Sequence, residues 1–239
     1  MIAAIAEVKA RKIKGSERIG LWGISRAGWI CPLVNEQYPL AFWISVSGTD
    51  DKENFGYLLE SNFRIEGRSQ AQTQLLVSEW YAGNKISRNG GSFEEYQEAT
   101  RHLRQDSFWI AVSGSPVTKE GYERGHKTPD TNRYDEATGL RIYVPEFAKL
   151  LDKVRCPVLA IFGEKDSQVD WRKTMALYKK TIGKNPAASL TIKTLPDCNH
   201  SMIQCTTGGY KEDLTDKGIC PGYFDTMVSW LKEKRLASE

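Results

Sequence analysis

Short apolar runs without polar alternation recur at both ends of the chain. Such runs are typical of strands buried on both faces of a parallel sheet. Beside them, apolar residues recur at spacings of three and four, which is the periodicity of an amphipathic helix. The predicted strands span residues 19–24, 41–46, 157–162 and 189–195, and the predicted helices span residues 2–14, 25–35, 170–182 and 222–235. This alternation predicts an α/β fold with a parallel sheet flanked by helices.

The last two predicted helices carry additional signals. Phe224, Met227, Val228 and Leu231 fall at positions i, i+3, i+4 and i+7 of the final helix, so they share one face that we expect to pack on the sheet. Asp170 precedes the helix at 170–182 and is the predicted N-cap.

The middle of the chain breaks the alternation of strands and helices. Residues 49–150 contain no convincing buried strand but include helical patterns at 69–81 and 93–109. A segment this long is not a plain loop in a compact domain. We therefore predict a helical cap or lid at 49–150, inserted between core segments at 1–48 and 151–239.

Four aromatic residues of the predicted cap leave two interpretations open. They either form the core of the cap or line an apolar substrate pocket. These residues are Trp80, Tyr81, Phe108 and Trp109.

The composition narrows the class of protein. The chain has 239 residues, 40% of them hydrophobic and 26% charged, and a formal net charge of +3. A charge this small, with basic and acidic residues interleaved, gives no support for nucleic-acid binding. No apolar segment is long enough to span a bilayer, and Glu7 and Lys9 interrupt the only stretch that resembles a signal peptide. We expect a cytoplasmic protein without membrane contact.

The cysteines show no metal-binding or redox motif. The chain has five cysteines and no CxxC pair, so zinc has no support and free thiols are the default expectation. A bridge between Cys205 and Cys220, which flank a polar loop, is the alternative if the protein is exported.

The strongest chemical signal lies where the first predicted strand meets a helix. There the sequence from Gly23 to Ala27 reads Gly-x-Ser-x-Ala, with Ser25 at its centre. A serine nucleophile at such a turn needs small residues two positions before and after it, because the backbone turns sharply. The turn directs the backbone N–H of Arg26 toward a developing oxyanion. The alternative is that Ser25 is only a helix N-cap.

A carboxylate and an imidazole follow two later predicted strands. Asp166 lies beyond the strand at 157–162, although Glu164 and Asp170 compete for the same role. His200 follows the strand at 189–195. Because parallel strands end at one edge of a sheet, we expect Asp166 to orient His200, and His200 to act as general base for Ser25.

The other two histidines, His102 and His126, fall within the predicted cap. Their surroundings are polar, so we expect surface positions for them, and contact of a lid histidine with substrate is the alternative.

The segments at 19–32, 156–170 and 196–202 resemble the α/β-hydrolase superfamily. The likeness is greatest to its prolyl oligopeptidase and dienelactone hydrolase branches. It implies Ser25, Asp166 and His200 as the catalytic triad and the middle segment as a cap. It also implies that the strands preceding the elbow, and the loop that donates the second oxyanion-hole N–H, are missing here. The strand at 19–24 would then have an open edge, to be covered by a second chain or a second copy.

These features predict a serine hydrolase that cleaves an ester or amide through an acyl-enzyme, in the manner of a carboxylesterase. They imply no metal or organic cofactor. The expected substrate is a small-molecule ester or a peptide. Three alternatives remain: a prolyl oligopeptidase-like serine peptidase, acyl transfer to an acceptor other than water, and an impaired fragment that acts as a binding or assembly module.

Overall fold

A computed structural model describes residues 1–52, 54–114, 116–126, 131–136 and 138–236. The chain divides into two compact units. The first unit joins Met1–Asp51 to Val144–Glu239, and the second consists of Lys52–Tyr143. The second unit therefore falls inside the segment at 49–150 that the sequence pattern sets apart.

The first unit contains a parallel sheet of four strands, in the order β1 (Leu21–Ile24), β2 (Trp43–Val46), β5 (Pro157–Gly163) and β6 (Ser189–Leu195). This sheet confirms the predicted α/β class. All four predicted strands, and three of the four predicted helices, begin and end within about two residues of the predicted bounds. The helix at the N-terminus is shorter than the predicted 2–14. The helices of this unit are α1 (Ile2–Ala10), α2 (Ala27–Gln37), α8 (Phe147–Leu151), α9 (Trp171–Lys180) and α10 (Tyr223–Glu233).

The core of the first unit lies on both faces of the sheet, as the unbroken apolar runs require. Successive strand residues point to opposite faces. In β2, Trp43 joins a cluster with buried residues of α2, α8 and α9, whereas Ile44 joins a cluster with α10. In β5, Val158 and Leu159 divide between the same two clusters. Both strands are therefore buried on both faces, and the polar Ser45 of β2 hydrogen-bonds to the hydroxyl of Tyr178 at 3.2 Å.

The predicted packing face of α10 is correct for Met227 and Leu231, which pack against the core, but wrong for Phe224 and Val228. Phe224 is 58% exposed and Val228 is 50% exposed, whereas Tyr223 and Trp230 are buried against the sheet. Trp230 also donates a hydrogen bond from Nε1 to Thr191 Oγ1 of β6 at 3.1 Å. The helix is thus rotated from the predicted orientation, since the larger indole can both fill the core and satisfy its N–H at a neighbouring strand.

β1 is an edge strand. Within the part of the chain that the structure describes, no strand pairs with its second edge. Trp22, in the middle of β1, is 52% exposed. The cover for this edge from a second chain or copy stays a prediction.

The second unit is mainly helical, with a small antiparallel hairpin that the sequence pattern did not predict. A capping box at Ser69 begins α4, which runs beyond the predicted end at residue 81. The helix predicted over 93–109 is divided, because the Asp106 side chain accepts hydrogen bonds from Phe108 N and Trp109 N and begins a new helix. The elements are α3 (Phe55–Ile65), α4 (Gln70–Arg88), α5 (Phe93–Ala99), α6 (Ser107–Ser113), α7 (Lys119–His126), β3 (Arg133–Tyr134) and β4 (Arg141–Ile142).

The aromatic residues of the second unit pack on one another. Trp80 and Phe108 are buried in its core, and Trp109 packs against that core. Tyr81 is exposed, although its ring contacts that of Trp80 at 4.8 Å between centroids. The structure therefore places Trp80, Phe108 and Trp109 in the core of this unit.

Among the described residues, no helix combines the length and the hydropathy that crossing a bilayer requires.

Candidate active site

Ser25 occupies the turn between β1 and α2 in a left-handed conformation, with φ of 57°. Its N–H donates to the carbonyl of Val46 at 2.9 Å, and its carbonyl accepts from Gly28 N at 2.8 Å and Thr49 N at 3.1 Å. A non-glycine residue in this region is strained and persists only where its surroundings hold it. The three backbone hydrogen bonds supply that restraint, and the geometry is that of a nucleophile elbow.

Close contacts explain the small residues around Ser25. A Cβ added to Gly23 would lie 2.4 Å from the Cβ of Ala27. A Cβ added to Gly28 would lie 2.7 Å from backbone atoms of Thr49. The turn therefore excludes larger side chains at these positions, which is the physical reason for the Gly-x-Ser-x-Ala pattern.

Arg26 follows Ser25 and is the N-cap residue of α2. Within the described residues, its backbone N–H donates to no other protein group. This N–H remains available to a negatively charged oxygen at the start of the helix, where the helix dipole also favours negative charge.

Asp166 and His200 form a buried pair. Asp166 Oδ2 lies 2.8 Å from His200 Nδ1, and the two residues are 3% and 8% exposed. Asp166 Oδ1 accepts hydrogen bonds from the backbone N–H groups of Gln168 at 2.8 Å and Val169 at 3.0 Å. These bonds fix the carboxylate, which in turn assigns the proton of a neutral imidazole to Nδ1. His200 Nε2 is then a proton acceptor.

The two competing carboxylates have other partners. Asp170 Oδ1 accepts from Lys173 N at 3.2 Å and caps α9, as predicted. Glu164 Oε1 accepts from Thr194 Oγ1 at 2.7 Å. Among the described residues, Asp166 is the carboxylate that hydrogen-bonds to His200.

Ser25, Asp166 and His200 follow β1, β5 and β6, so all three lie beyond the carboxyl ends of strands in one parallel sheet. Asp166 and His200 are in direct contact. In the described part of the chain, no hydrogen bond joins the Ser25 hydroxyl to His200. Serine–histidine contacts of catalytic sites are often long or poorly aligned without substrate and shorten in the complex.

Asn199 is a site residue that the sequence reasoning missed. Its Oδ1 accepts from Ser201 N at 2.9 Å and Ile203 N at 3.1 Å, and its N–H donates to the carbonyl of Ile203 at 3.1 Å. Asn199 thereby closes the tight turn that contains His200. The readable signal is the tendency of asparagine to accept from backbone N–H groups a few residues ahead.

The free-thiol expectation is wrong for two cysteines, and the alternative pair of Cys205 with Cys220 is wrong as well. Cys220 is bonded to Cys198, with Cα atoms 5.9 Å apart, and Cys205 is a buried free thiol. The hairpin around His200 lies beside the segment that contains Cys220, and this proximity decides the pairing.

A loop between His200 and α10 packs against the segment that carries Asp166. A Cβ added to Gly208 would lie 1.9 Å from the carbonyl oxygen of Lys165. The Glu212 carboxylate accepts hydrogen bonds from the backbone N–H groups of Thr206, Thr207 and Gly208. Burial opposes ionisation, but these hydrogen bonds and that of the Thr207 hydroxyl lower the pKa of Glu212 to about 2. The ionised carboxylate therefore holds the loop in place.

The remaining histidines belong to the second unit. The side chain of His102 is half-exposed, and its Nδ1 lies 2.5 Å from Glu79 Oε1. The prediction for His126 concerns a side chain that lies outside the described part of the structure.

No protein-family model matches this sequence, and no curated protein matches it either. Solved structures show distant likeness. A structure of VinJ has 14% identity and a TM-score of 0.47 over 97% of this chain and 70% of its own. An esterase of Pyrococcus furiosus has 14% identity and a TM-score of 0.40, over 81% of this chain and 51% of its own. A proline iminopeptidase of Mycobacterium smegmatis has 18% identity and a TM-score of 0.47, over 98% of this chain and 70% of its own.

At such identities and TM-scores, the function has to be argued from the residues of this chain. Its sheet is parallel throughout, an elbow with a left-handed serine follows β1, and a His–Asp pair follows the last two strands. This architecture is that of part of an α/β-hydrolase fold.

Proposed function

We propose that this chain is a serine hydrolase that cleaves an ester or amide by acyl transfer, with Ser25 as nucleophile, His200 as base and Asp166 as the carboxylate that orients His200. The buried hydrogen bond of 2.8 Å between Asp166 and His200 carries the proposal. A histidine oriented by a carboxylate, beyond the same sheet edge as an elbow serine, is the arrangement that activates a hydroxyl for attack.

In the proposed reaction, His200 Nε2 removes the hydroxyl proton of Ser25 as the serine oxygen attacks the carbonyl carbon of the substrate. The imidazolium that forms is stabilised by Asp166, which stays ionised. His200 then donates the proton to the leaving alcohol or amine. Water, deprotonated in turn by His200, hydrolyses the acyl-enzyme and releases Ser25.

The backbone N–H of Arg26 stabilises the negative oxygen of each tetrahedral intermediate. One such donor contributes about 2.7–4 kcal/mol to transition-state stabilisation in enzymes of this kind. The resemblance places a second donor in a loop that precedes the elbow, and no described residue is assigned to that role.

Hydrolysis of p-nitrophenyl butyrate tests the proposal. The expected result is release of p-nitrophenol by the wild-type chain and a loss of at least about 10³-fold in Ser25→Ala, since removal of the nucleophile eliminates the acyl-enzyme route. Ser189→Ala is the matched control, because Ser189 is exposed at the start of β6. Wild-type turnover no greater than that of Ser25→Ala would contradict the proposal and favour a binding module.

A matched ester and amide with one acyl group separate an esterase from a peptidase. We propose the carboxylesterase-like activity, for which kcat/KM on the ester exceeds kcat/KM on the aminoacyl amide. The reverse order would favour a peptidase.

A cytoplasmic location stays a prediction, and the Cys198–Cys220 disulfide argues against it, because disulfides persist mainly in oxidising compartments.

A further inference from the structure

His200 lies at the tip of a narrow hairpin. An antiparallel bridge pairs Cys198 with Gln204, and Cys205 N donates to the carbonyl of Asp197 at 2.8 Å. The turn is thus only a few residues long, and any movement of the two strands that flank it moves His200.

A second segment, which contains Ile219 and Cys220, pairs with this hairpin. Ile203 pairs with Ile219, and Cys220 N donates to the carbonyl of Met202 at 2.9 Å. The disulfide between Cys198 and Cys220 adds a covalent bond at the same place, two residues from His200. Because α10 begins at Tyr223 and packs on the sheet, the disulfide links the turn of His200 to the core of the unit.

We propose that the Cys198–Cys220 disulfide is a positioning element for His200, so that its reduction by a dithiol lowers turnover. This inference rests on the proposed hydrolase function. In the reduction, the dithiol gives up two electrons and two protons and becomes a disulfide, while Cys198 and Cys220 become thiols. The hairpin then loses its covalent attachment to the segment before α10 and keeps the backbone hydrogen bonds and the side-chain packing.

The three cysteines outside the disulfide do not explain a loss of turnover on reduction, because all three are already free thiols. Burial raises the pKa of Cys31 to about 12 and that of Cys156 to about 11, so both remain protonated and unreactive at neutral pH. Both belong to the cluster on the sheet face opposite α10. Cys205 is buried in the same hairpin as Cys198 but is not bridged, which makes it the matched control.

The experiment compares the oxidised, dithiothreitol-reduced and reoxidised wild-type chain with the double variant Cys198→Ala/Cys220→Ala and with Cys205→Ala. Alkylation in denaturant, followed by mass spectrometry, counts the free thiols. Steady-state hydrolysis of p-nitrophenyl butyrate gives kcat and KM, and far-UV circular dichroism reports whether each form is folded.

Oxidised wild-type protein is expected to show three alkylated cysteines out of five. Reduction and the double substitution are each expected to lower kcat by roughly tenfold to a hundredfold, since a shift of about 1 Å at a catalytic group has effects of that size. KM should stay within about twofold, because the disulfide positions His200 and does not contribute to substrate binding. Reoxidation should restore kcat in the wild-type chain only, and Cys205→Ala should match the wild type.

Five alkylated cysteines in the oxidised protein would overturn the inference, and so would an unchanged kcat after reduction. If the far-UV circular dichroism signal of the folded chain is lost on reduction, the disulfide maintains the fold rather than the position of His200, and the inference is also wrong. Failure of the proposed function is distinguishable, since oxidised wild-type protein would then be inactive whatever its thiol count.

Discussion

Replacement of Asp166 by asparagine changes the charge and the proton pattern of the pair while leaving its shape almost unaltered. The asparagine oxygen can still accept from the N–H groups of Gln168 and Val169, which now bond to Oδ1. Its amide NH₂ then occupies the place of Oδ2, 2.8 Å from His200 Nδ1. A donor at this position requires Nδ1 to be unprotonated. The proton of His200 therefore moves to Nε2, which can no longer accept the proton of Ser25.

The size of the effect follows from the loss of the productive tautomer. The corresponding Asp→Asn change in a serine protease lowers kcat by about 10⁴-fold. A factor of 10⁴ corresponds to about 5.4 kcal/mol of activation free energy. Since the Asp166–His200 bond is buried and as short as a charge-assisted hydrogen bond, we expect a loss of the same order here.

The assay is hydrolysis of p-nitrophenyl butyrate under saturating conditions, and Asp170→Asn is the matched control. Asp170 caps α9 through its Oδ1, and asparagine caps helices as well as aspartate does. The control should therefore keep both its stability and its turnover. The reasoning is refuted if Asp166→Asn keeps kcat within about tenfold of the wild type, or if Asp170→Asn loses as much.

Four further substitutions test other parts of the structure. Gly23→Ala should displace the elbow and lower turnover by about tenfold or more, because the new Cβ would lie 2.4 Å from that of Ala27. Glu212→Gln should lower the melting temperature at pH 7 but not near pH 2, since the depressed pKa of Glu212 means that its stabilisation is complete above pH 4.5 and is lost as the pH falls to about 2. In urea unfolding, Phe224→Ala should change stability by less than about 0.5 kcal/mol, whereas Trp230→Ala should cost about 3–5 kcal/mol.

Each of these expectations has an opposite outcome. Full activity of Gly23→Ala would mean that the turn tolerates a larger residue. A destabilisation by Glu212→Gln that is the same at pH 2 and pH 7 would show that the charge of this carboxylate is not what holds the loop. A larger loss for Phe224→Ala than for Trp230→Ala would restore the packing face that the periodicity predicted.

The chemistry of the elbow was readable because it depends on neighbours in the sequence. Gly23 and Ala27 are small for a local steric reason that any five-residue turn of this kind imposes. The choice among Glu164, Asp166 and Asp170 depends instead on a contact with His200, which lies about thirty residues further along the chain. The position of the three carboxylates after the strand at 157–162 limited the choice to them. The hydrogen bond that identifies Asp166 forms only when the loop folds against His200.

The rotation of α10 could not be read from its periodicity. Met227 and Leu231 fit a stripe with Phe224 and Val228, but they fit a stripe with Tyr223 and Trp230 equally well. The two stripes share two residues and differ in the other two, and the hydrogen bond of the Trp230 indole to β6 is a tertiary contact that the pattern does not contain. Packing therefore decided between two faces that local hydrophobicity left equivalent.

The pairing of the cysteines depends on tertiary structure in the same way. Cys198 and Cys220 are separated by 22 positions in the sequence, and nothing in the intervening polar loop indicates that it folds back. The hairpin at Asn199 and its bridge to Ile219 bring the two sulfurs together. Cys205 lies closer to Cys220 in the sequence but faces a different partner, the carbonyl of Asp197.

Mass spectrometry of the folded protein after reaction with a fluorophosphonate tests the catalytic role of Ser25 most directly. The phosphonyl group reports a serine that is both accessible and activated by its base. We expect one adduct, mapped by peptide digestion to Ser25, which forms in the wild-type chain and is abolished by His200→Ala. An adduct on another residue, or no adduct on folded wild-type protein, would contradict the assignment of Ser25 as the nucleophile.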